Sequence, residues 1–121
     1  MTIMSSKAKF GFILEYVTDI EAARRFYVEV LGLEVERYSP AFIQFNNFAI
    51  ASDESMSGTR DPEVYWVVED AEAAFKDFSQ KGEISLPLKQ MPFGKVFGIK
   101  DPAGQPQYLV EFAKDRPSQP V

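Results

Sequence analysis

The residue types that could do chemistry in this chain are carboxylates and phenols. Its 121 residues include 18 Asp and Glu and five Tyr, but no His and no Cys. Without His, the commonest general base and the commonest transition-metal ligand are missing. Without Cys there is no disulfide, thiolate ligand or thiol nucleophile. A metal site would need oxygen ligands alone, a donor set that suits Mg, Ca or Mn better than Zn.

The sequence also lacks the short motifs of the common cofactor and nucleophile sites. It contains no phosphate-binding loop, no G-x-G-x-x-G and no G-x-S-x-G. We therefore expect no cofactor.

The charge balance narrows the classes of partner. A net charge of −5 and a pI of about 4.7 argue against nucleic acid and anionic membranes, which need clustered Lys and Arg. The same balance mildly favours cationic ligands. No apolar run approaches the roughly 18–20 residues of a membrane span, and residues 1–9 lack the apolar core of a signal peptide. The expected location is the cytoplasm.

A sequence that occurs twice organises the elements that must position the candidate residues. Residues 17–23 and 68–74 both read V-x-D-x-E-A-A, 51 positions apart. In each copy an apolar run ends, an Asp suited to an N-cap follows, and helical periodicity begins. The repeat predicts one domain of two similar modules. The predicted divisions are an N-terminal arm (1–8), a first module (9–52), a linker (53–62), a second module (63–113) and a flexible tail (114–121).

Each module is predicted to contain a strand, a helix and three further strands. In the first, aromatic and aliphatic residues favour a strand at 9–17. Asp19 suits the N-cap of the helix and Gly32 its end, while Asn46-Asn47 suits a hairpin turn. The other strands of this module are predicted at 33–38, 41–45 and 48–52.

The second module repeats the pattern, with Asp70 capping the helix and Gly82 ending it. Pro87 cannot donate a ladder hydrogen bond, so its strand is expected at a sheet edge or at a bulge. The strands are predicted at 63–68, 83–88, 95–100 and 107–113, with a loop at 89–94.

The predicted fold class is therefore α+β, with two pseudo-symmetric βαβββ modules. A single module covers one face of its sheet with the helix and leaves the other face bare. Two modules side by side would form a curved eight-stranded sheet, a half-barrel whose bare faces make one cup while the helices pack outside. The 11 Phe either fill the core or partly line that cup.

Three motifs occur in order within residues 9–113. Asp19 is followed by Phe26-Tyr27 and Leu31-Gly32-Leu33, then come Phe93-Gly94 and Asp101-Pro102-Ala103-Gly104. They are similar to the D-x5-6-F-Y-x3-L-G-L, W-G and D-P-x-G motifs of the vicinal oxygen chelate superfamily. That superfamily includes glyoxalase I, bleomycin resistance proteins and extradiol dioxygenases. The resemblance implies the same two-module fold.

The resemblance also implies where a metal would be held. The metal enzymes of the superfamily place ligands at four cup-facing positions, which correspond here to Phe12, Ala51, Glu63 and Tyr108. Only Glu63 is a plausible ligand, and one carboxylate does not hold an ion that normally needs three or four protein ligands. We therefore predict no metal site like that of glyoxalase I. Glu111 is expected on the face opposite to Tyr108.

Strand alternation gives the predicted cup a largely aromatic and aliphatic lining. Tyr side chains offer an apolar body and a polar group, which suits a small-molecule pocket, although ordinary strand packing explains them equally well. Trp66 is expected to face the helices, and Met91 and Phe93 to close over the cup. The predicted ligand-binding residues are Phe12, Leu14, Tyr16, Ala51, Glu63, Tyr65, Met91, Phe93 and Tyr108, with Val67 and Val110 on the same face.

Two glutamates stand out in this arrangement. Glu63 is the only charged residue at a predicted cup position, which makes it a candidate general base or a counter-ion for a cationic ligand. An exposed Glu at the start of a strand is the alternative. Glu15 falls on the helix-facing side, where Arg24, Arg25 or Lys9 would be its partner, or where it would mark a subunit interface.

Three hypotheses for function follow. The first is metal-independent binding of a small molecule, with cationic aromatic compounds as one class, because the chain resembles the bleomycin-resistance branch. That resemblance also implies a homodimer. The alternative is a lyase, isomerase or dioxygenase of the superfamily that uses Glu63 as a base or in a reduced metal site. The third is an interaction scaffold whose cup is filled by its own side chains.

Overall fold

Residues 7–114 are described by a computed structural model. They contain two helices and eight strands of one sheet, so the predicted α+β fold with two βαβββ modules is confirmed. The predicted N-terminal arm and tail lie largely outside the described residues. No helix in the described part of the chain is long and apolar enough to cross a membrane.

The first module follows the predicted order of elements. Its strands are adjacent in the order β2-β3-β4-β1, with β1 and β4 parallel and the other pairs antiparallel. Only part of the strand predicted at 33–38 forms. The elements are β1 (Lys9–Tyr16), α1 (Ile20–Arg25), a π-helical turn (Phe26–Val30), β2 (Arg37–Ser39), β3 (Phe42–Gln44) and β4 (Phe48–Ala51).

The second module has longer strands, in the order β5-β8-β7-β6. Pro87 lies in the edge strand β6, whose pairing with β7 shifts register on both sides of Leu86, as its missing N–H predicts. The elements are β5 (Glu63–Val67), α2 (Ala71–Ser79), β6 (Ile84–Met91), β7 (Gly94–Lys100) and β8 (Pro106–Phe112).

The prediction of a loop at 89–94 is wrong. Strand β6 continues to Met91, which pairs with Gly94, so only Pro92 and Phe93 form the turn. The N–H of Ala113 donates to the Phe93 carbonyl at 2.9 Å and fixes the turn against the end of β8. Met91 and Phe93 are therefore part of a tight hairpin and not of a long loop that closes over a cleft.

The repeated motif places the same cap in both modules. The Asp19 carboxylate accepts the N–H of Ala22 at 3.0 Å, and Asp70 accepts that of Ala73 at 3.1 Å. The first helix then departs from α geometry, because the N–H of Leu31 donates five residues back to Phe26. The caps confirm that the repeat marks two equivalent helix starts.

The chain divides into two compact units. Within the described residues, the first unit is 12–63, and the second unit is 7–11 with 64–114. Each has its own core on the helix side of its strands. The core of the first unit is centred on Ile43, Phe45 and Ile50. That of the second surrounds Phe97 and includes Trp66, which packs on the helix side as predicted.

Gly94 gives a test of the second unit's hairpin. Its φ is +145°, and an added Cβ would meet the Glu111 carbonyl and lie 2.9 Å from the Ala113 nitrogen. We expect Gly94→Ala to lower the free energy of unfolding by about 3 kcal/mol, measured by urea denaturation with Trp66 fluorescence. Gly104→Ala is the control. Its φ is +84°, but no described atom beyond the adjacent residues lies within 4 Å of an added Cβ. This substitution should lower the free energy of unfolding by about 1 kcal/mol. Equal losses of stability in the two variants would contradict the close approach of the β8 backbone to Gly94.

Candidate functional site

The carboxylate of Glu63 is the most completely enclosed charge in the first unit. The residue is 2% exposed. The Tyr16 hydroxyl donates to its Oε1 at 2.7 Å, and the Ser57 N–H donates to its Oε2 at 2.8 Å. Hydrogen bonds of this charge-assisted kind offset the cost of removing a carboxylate from water. Two predicted site residues, Tyr16 and Glu63, are thereby brought into direct contact, and Glu63 is not an exposed strand-start residue.

The segment at 52–62, which has neither helix nor strand, supplies the second donor to Glu63. Its shape is set by hydroxyl groups that accept from the backbone. The Thr59 N–H donates to Ser57 Oγ and the Asp61 N–H to Thr59 Oγ1, both at 3.2 Å. Turns of this type hold a loop without periodic structure. The segment therefore presents the Ser57 N–H to the carboxylate in a defined position.

The same segment places a cation on Tyr16. The guanidinium carbon of Arg60 lies 5.7 Å from the centroid of the Tyr16 ring, within the roughly 6 Å of a cation–π contact. Arg60 is exposed and forms no ion pair with any described residue. The Tyr16 ring is therefore a surface on which a planar cation already rests.

Negative charge accumulates close to this contact. Desolvation of its carboxyl group raises the pKa of Asp53 above the ordinary value, and the charges of Glu63 and Glu54 raise it further against an opposing backbone hydrogen bond. Asp53 as a whole residue is nevertheless exposed. The surroundings of Glu63 thus favour positive and disfavour additional negative charge.

One face of the first unit's strands carries most of its predicted site residues, and we call it the Tyr16 face. Tyr16 is the cross-strand partner of Ala51, which partners Phe42. Phe42 in turn packs on Phe12, with ring centroids 5.6 Å apart. Phe12, Leu14 and Ala51 are all at most 5% exposed. These three residues form the apolar floor beside the Tyr16–Glu63 pair.

The predicted site residues of the second unit form a separate group. Tyr65 and Tyr108 are cross-strand partners on β5 and β8, with stacked rings 5.4 Å apart, and each is 3% exposed. Glu111 turns to the other face, as predicted, where its carboxylate accepts the Ala71 N–H at the start of α2. Binding of a ligand by Tyr65, Tyr108, Met91 or Phe93 stays a prediction.

A groove of about 520 Å³ also lies in the second unit, next to the end of α2. Its lysines are neutralised locally, because Lys81 pairs with Asp77 and Lys100 with Glu83. Asp101 accepts hydrogen bonds from the turn that follows it. The groove contains none of the predicted site residues, and its charged groups are engaged with one another.

Glu15 has a partner that sequence reasoning missed. The Tyr27 hydroxyl donates to its Oε1 at 2.6 Å, in place of the expected Arg24, Arg25 or Lys9. Desolvation, the hydrogen bond to Glu15 and the charge of Glu15 raise the pKa of Tyr27 to about 12. The pair lies on the helix side of the first unit, where Tyr27 packs against the core, so Glu15 has a structural role there.

Three further residues of the Tyr16 face and its surroundings were also missed: Gln44, Ser57 and Arg60. Gln44 is detectable in principle, because it is the one polar residue in the short strand β3 and alternates with Ile43. Ser57 and Arg60 come from a segment without periodicity, so no pattern indicates where their groups lie.

The residues at the positions implied for a metal do not fit one. Phe12 and Ala51 have no donor atoms, and both carboxylate oxygens of Glu63 accept hydrogen bonds from Tyr16 and Ser57. Among residues 7–114, no three His, Cys, Asp or Glu side chains are grouped so that they could hold an ion.

Comparison with known families places the fold. The model of the Glyoxalase/Bleomycin resistance protein/Dioxygenase superfamily matches residues 9–112. No curated protein matches the chain.

Several solved structures share the fold at low sequence identity. An NAD-dependent benzaldehyde dehydrogenase from Legionella pneumophila aligns with a TM-score of 0.71 and 20% identity, over 85% of this chain and 99% of that one. A glyoxalase/bleomycin resistance protein/dioxygenase superfamily member from Vibrio splendidus 12B01 aligns at 0.61 and 20%, over 87% and 99%. Homoprotocatechuate 2,3-dioxygenase from Brevibacterium fuscum aligns at 0.57 and 18%, over 90% of this chain but 38% of its own. Similarity at this level shows the fold alone.

The Glu15–Tyr27 pair predicts an unusual tyrosine titration. We expect one of the five tyrosines to ionise near pH 12 in the folded chain, followed by tyrosinate absorbance. The folded pKa lies above the ordinary tyrosine pKa of 10.0. The stabilisation is therefore complete below pH 10 and is lost as the pH rises towards 12. Tyr27→Phe should remove this titration and Glu15→Gln should lower its midpoint, whereas Tyr38→Phe should leave it. A midpoint unchanged in Glu15→Gln would contradict the pairing.

Proposed function

Because the chain belongs to the Glyoxalase/Bleomycin resistance protein/Dioxygenase superfamily, we propose that it binds a small aromatic molecule of cationic character on the Tyr16 face, without a metal. The superfamily membership expected from the sequence motifs is confirmed. The ligand class and the residues that hold it are the proposal.

The observation that carries the proposal is the Arg60 guanidinium over Tyr16. A guanidinium is a planar cation, and the aromatic ring attracts it through its quadrupole. The Tyr16 hydroxyl donates to a carboxylate at 2.7 Å, which increases the electron density of the phenol. A planar organic cation of similar size would meet the same attraction and would compete with Arg60 for the ring.

The hydrogen bonds of Glu63 favour binding over catalysis. A general base must come within hydrogen-bond reach of the proton it removes, whereas Glu63 is 2% exposed and each of its oxygens accepts a hydrogen bond from the chain. Glu63 therefore acts as a fixed negative charge that orients Tyr16. The aromatic and aliphatic floor formed by Phe12, Leu14 and Ala51 supports an apolar ligand body.

The ligand proposal is tested with benzyltrimethylammonium and its uncharged carbon isostere, neopentylbenzene. We expect the ammonium compound to bind about tenfold more tightly, because a desolvated cation–π contact contributes about 1–2 kcal/mol. Binding is measured by protein-detected NMR titration. Tyr16→Leu should remove the preference, and Arg60→Ala should strengthen binding of the cation by removing its competitor.

Arg24→Ala is the matched control for the removal of a positive charge. Arg24 lies in the same unit but pairs with Glu21 on the helix surface, so its loss should leave the affinity unchanged. If the two compounds bind wild-type protein equally, or if neither binds, the proposal is wrong. Conversion of a bound superfamily substrate with loss of turnover in Glu63→Gln would instead favour the enzyme hypothesis.

We also propose that the protein is a homodimer. Three large apolar side chains lie exposed at the end of the first helix: Phe26, Val30 and Leu31 are 47%, 70% and 54% exposed. A cluster of this kind supports a protein interface. A cytoplasmic location, and the absence of nucleic-acid and membrane partners, stay predictions of the sequence.

The dimer is tested by sedimentation equilibrium. We expect wild-type protein to sediment as a dimer and Val30→Lys to shift it to monomer, since a charge at a contact surface opposes burial. Glu29→Lys, at the adjacent exposed position, is the control for the added charge. A wild-type monomer at all concentrations would overturn the dimer proposal.

A further inference from the structure

Gln44 has a buried acceptor atom that no described residue satisfies. The residue is 9% exposed on β3. Its Nε2 donates to the Asn46 carbonyl at 2.9 Å, but its Oε1 has no hydrogen-bond partner among the described residues. An acceptor buried in this way is costly for stability and rare in folded proteins. It therefore calls for a specific explanation.

The amide group cannot relieve this by turning over. With its two ends exchanged, the Oε1 atom would face the Asn46 carbonyl oxygen, and two acceptors would meet. Asn46, with a φ of +93°, lies at the turn between β3 and β4, and its carbonyl accepts from Gln44 Nε2. This hydrogen bond orients the side chain and leaves Oε1 as the end without a partner among the described residues.

Gln44 lies on the Tyr16 face. It is the cross-strand partner of Ala49, which partners Leu14. This row lies directly beside the one that contains Tyr16, Ala51 and Phe42. Two residues along a strand and two strands across correspond to a separation of about 12 Å between Gln44 and Tyr16. One extended small molecule can reach both residues.

The neighbouring Arg37 guanidinium determines which kind of ligand donor suits the Gln44 oxygen. Arg37 on β2 is the cross-strand partner of Gln44, is half-buried, and forms no ion pair with any described residue. A ligand ammonium beside this guanidinium would meet like charge. A neutral amide instead offers an N–H for the glutamine oxygen and a carbonyl oxygen for the guanidinium donors.

We propose that Gln44 and Arg37 form a subsite for a carboxamide group of the ligand, with the amide N–H donating to Gln44 Oε1 and the amide carbonyl accepting from Arg37. The inference deepens the proposed function and rests on it: the ligand has a cationic aromatic end at Tyr16 and a neutral amide end at Gln44. Gln44 is then the residue that selects among aromatic cations.

The test uses (4-carbamoylbenzyl)trimethylammonium and its N,N-dimethylamide, in which two methyl groups replace the two amide hydrogens. We expect wild-type protein to bind the primary amide roughly tenfold more tightly, the ratio typical of one buried hydrogen bond. Gln44→Met should remove this ratio, since Met has a similar length and no strong acceptor. Arg37→Ala should weaken binding of both compounds, because both keep the carbonyl.

The outcomes separate the two proposals. If both compounds bind wild-type protein with equal affinity, the amide subsite is wrong while ligand binding at Tyr16 stands. If neither compound binds, the proposed function itself fails. A tenfold ratio that persists in Gln44→Met would assign the N–H preference to another residue and overturn the inference.

A measurement without ligand gives an independent check. Gln44→Met removes the unsatisfied acceptor together with a part-buried hydrogen bond to the carbonyl of Asn46, an exposed residue. We expect the thermal midpoint of the ligand-free variant to equal or exceed that of wild type. A lower midpoint would mean that Gln44 is structurally satisfied, and the subsite would lose its basis. If Gln44→Met does not fold, the subsite is tested through Arg37→Ala, for which weaker binding of both compounds is expected.

Discussion

The buried carboxylate of Glu63 is the constraint on which the rest of the first unit depends. A carboxylate removed from water costs several kcal/mol unless donors surround it. Tyr16 and Ser57 are those donors, and they come from a strand and from an irregular segment. The segment must therefore hold one conformation, which its hydroxyl-to-backbone hydrogen bonds supply. That conformation also brings Arg60 onto Tyr16, so a single buried charge determines the position of the cation beside it.

The two copies of the repeat begin their helices in the same way, but the helices then continue differently. Asp19 and Asp70 cap their helices in the same way. In the first copy the helix widens into a π-helical turn that contains Tyr27, whose hydroxyl reaches Glu15. The second copy stays α-helical through Ser79 and packs Ala71 and Ala74 against Phe97. The first module thus pairs its helix-side carboxylate, Glu15, with a helix tyrosine, whereas the helix-side carboxylate of the second, Glu111, accepts the backbone N–H of Ala71.

The local parts of this structure were accessible from sequence because they depend on neighbouring residues. Caps at Asp19 and Asp70, the left-handed turn at Asn46 and the edge position of Pro87 each follow from the chemistry of one side chain. Alternation from Phe12 put Tyr16 on the predicted cup face, and the family resemblance put Glu63 there. Their hydrogen bond joins residues 47 positions apart, and no periodicity encodes such a pairing. A loop was predicted at 89–94, whereas pairing with β7 extends the strand to Met91.

Gln44 illustrates why sequence reasoning passes over a residue that the structure makes prominent. In the sequence it is one polar position in a short apolar strand, where exposure at an edge would be an adequate explanation. The structure buries it and satisfies only its nitrogen. Selection for stability alone would favour an apolar side chain at such a position, because both the desolvation and the missing hydrogen bond would then disappear. Positions that violate the packing rules without a compensating contact within the chain are typically functional. The Gln44 acceptor lies on the face that carries Tyr16, beside a guanidinium that forms no ion pair within residues 7–114. It is therefore better explained by what it recognises than by what it stabilises.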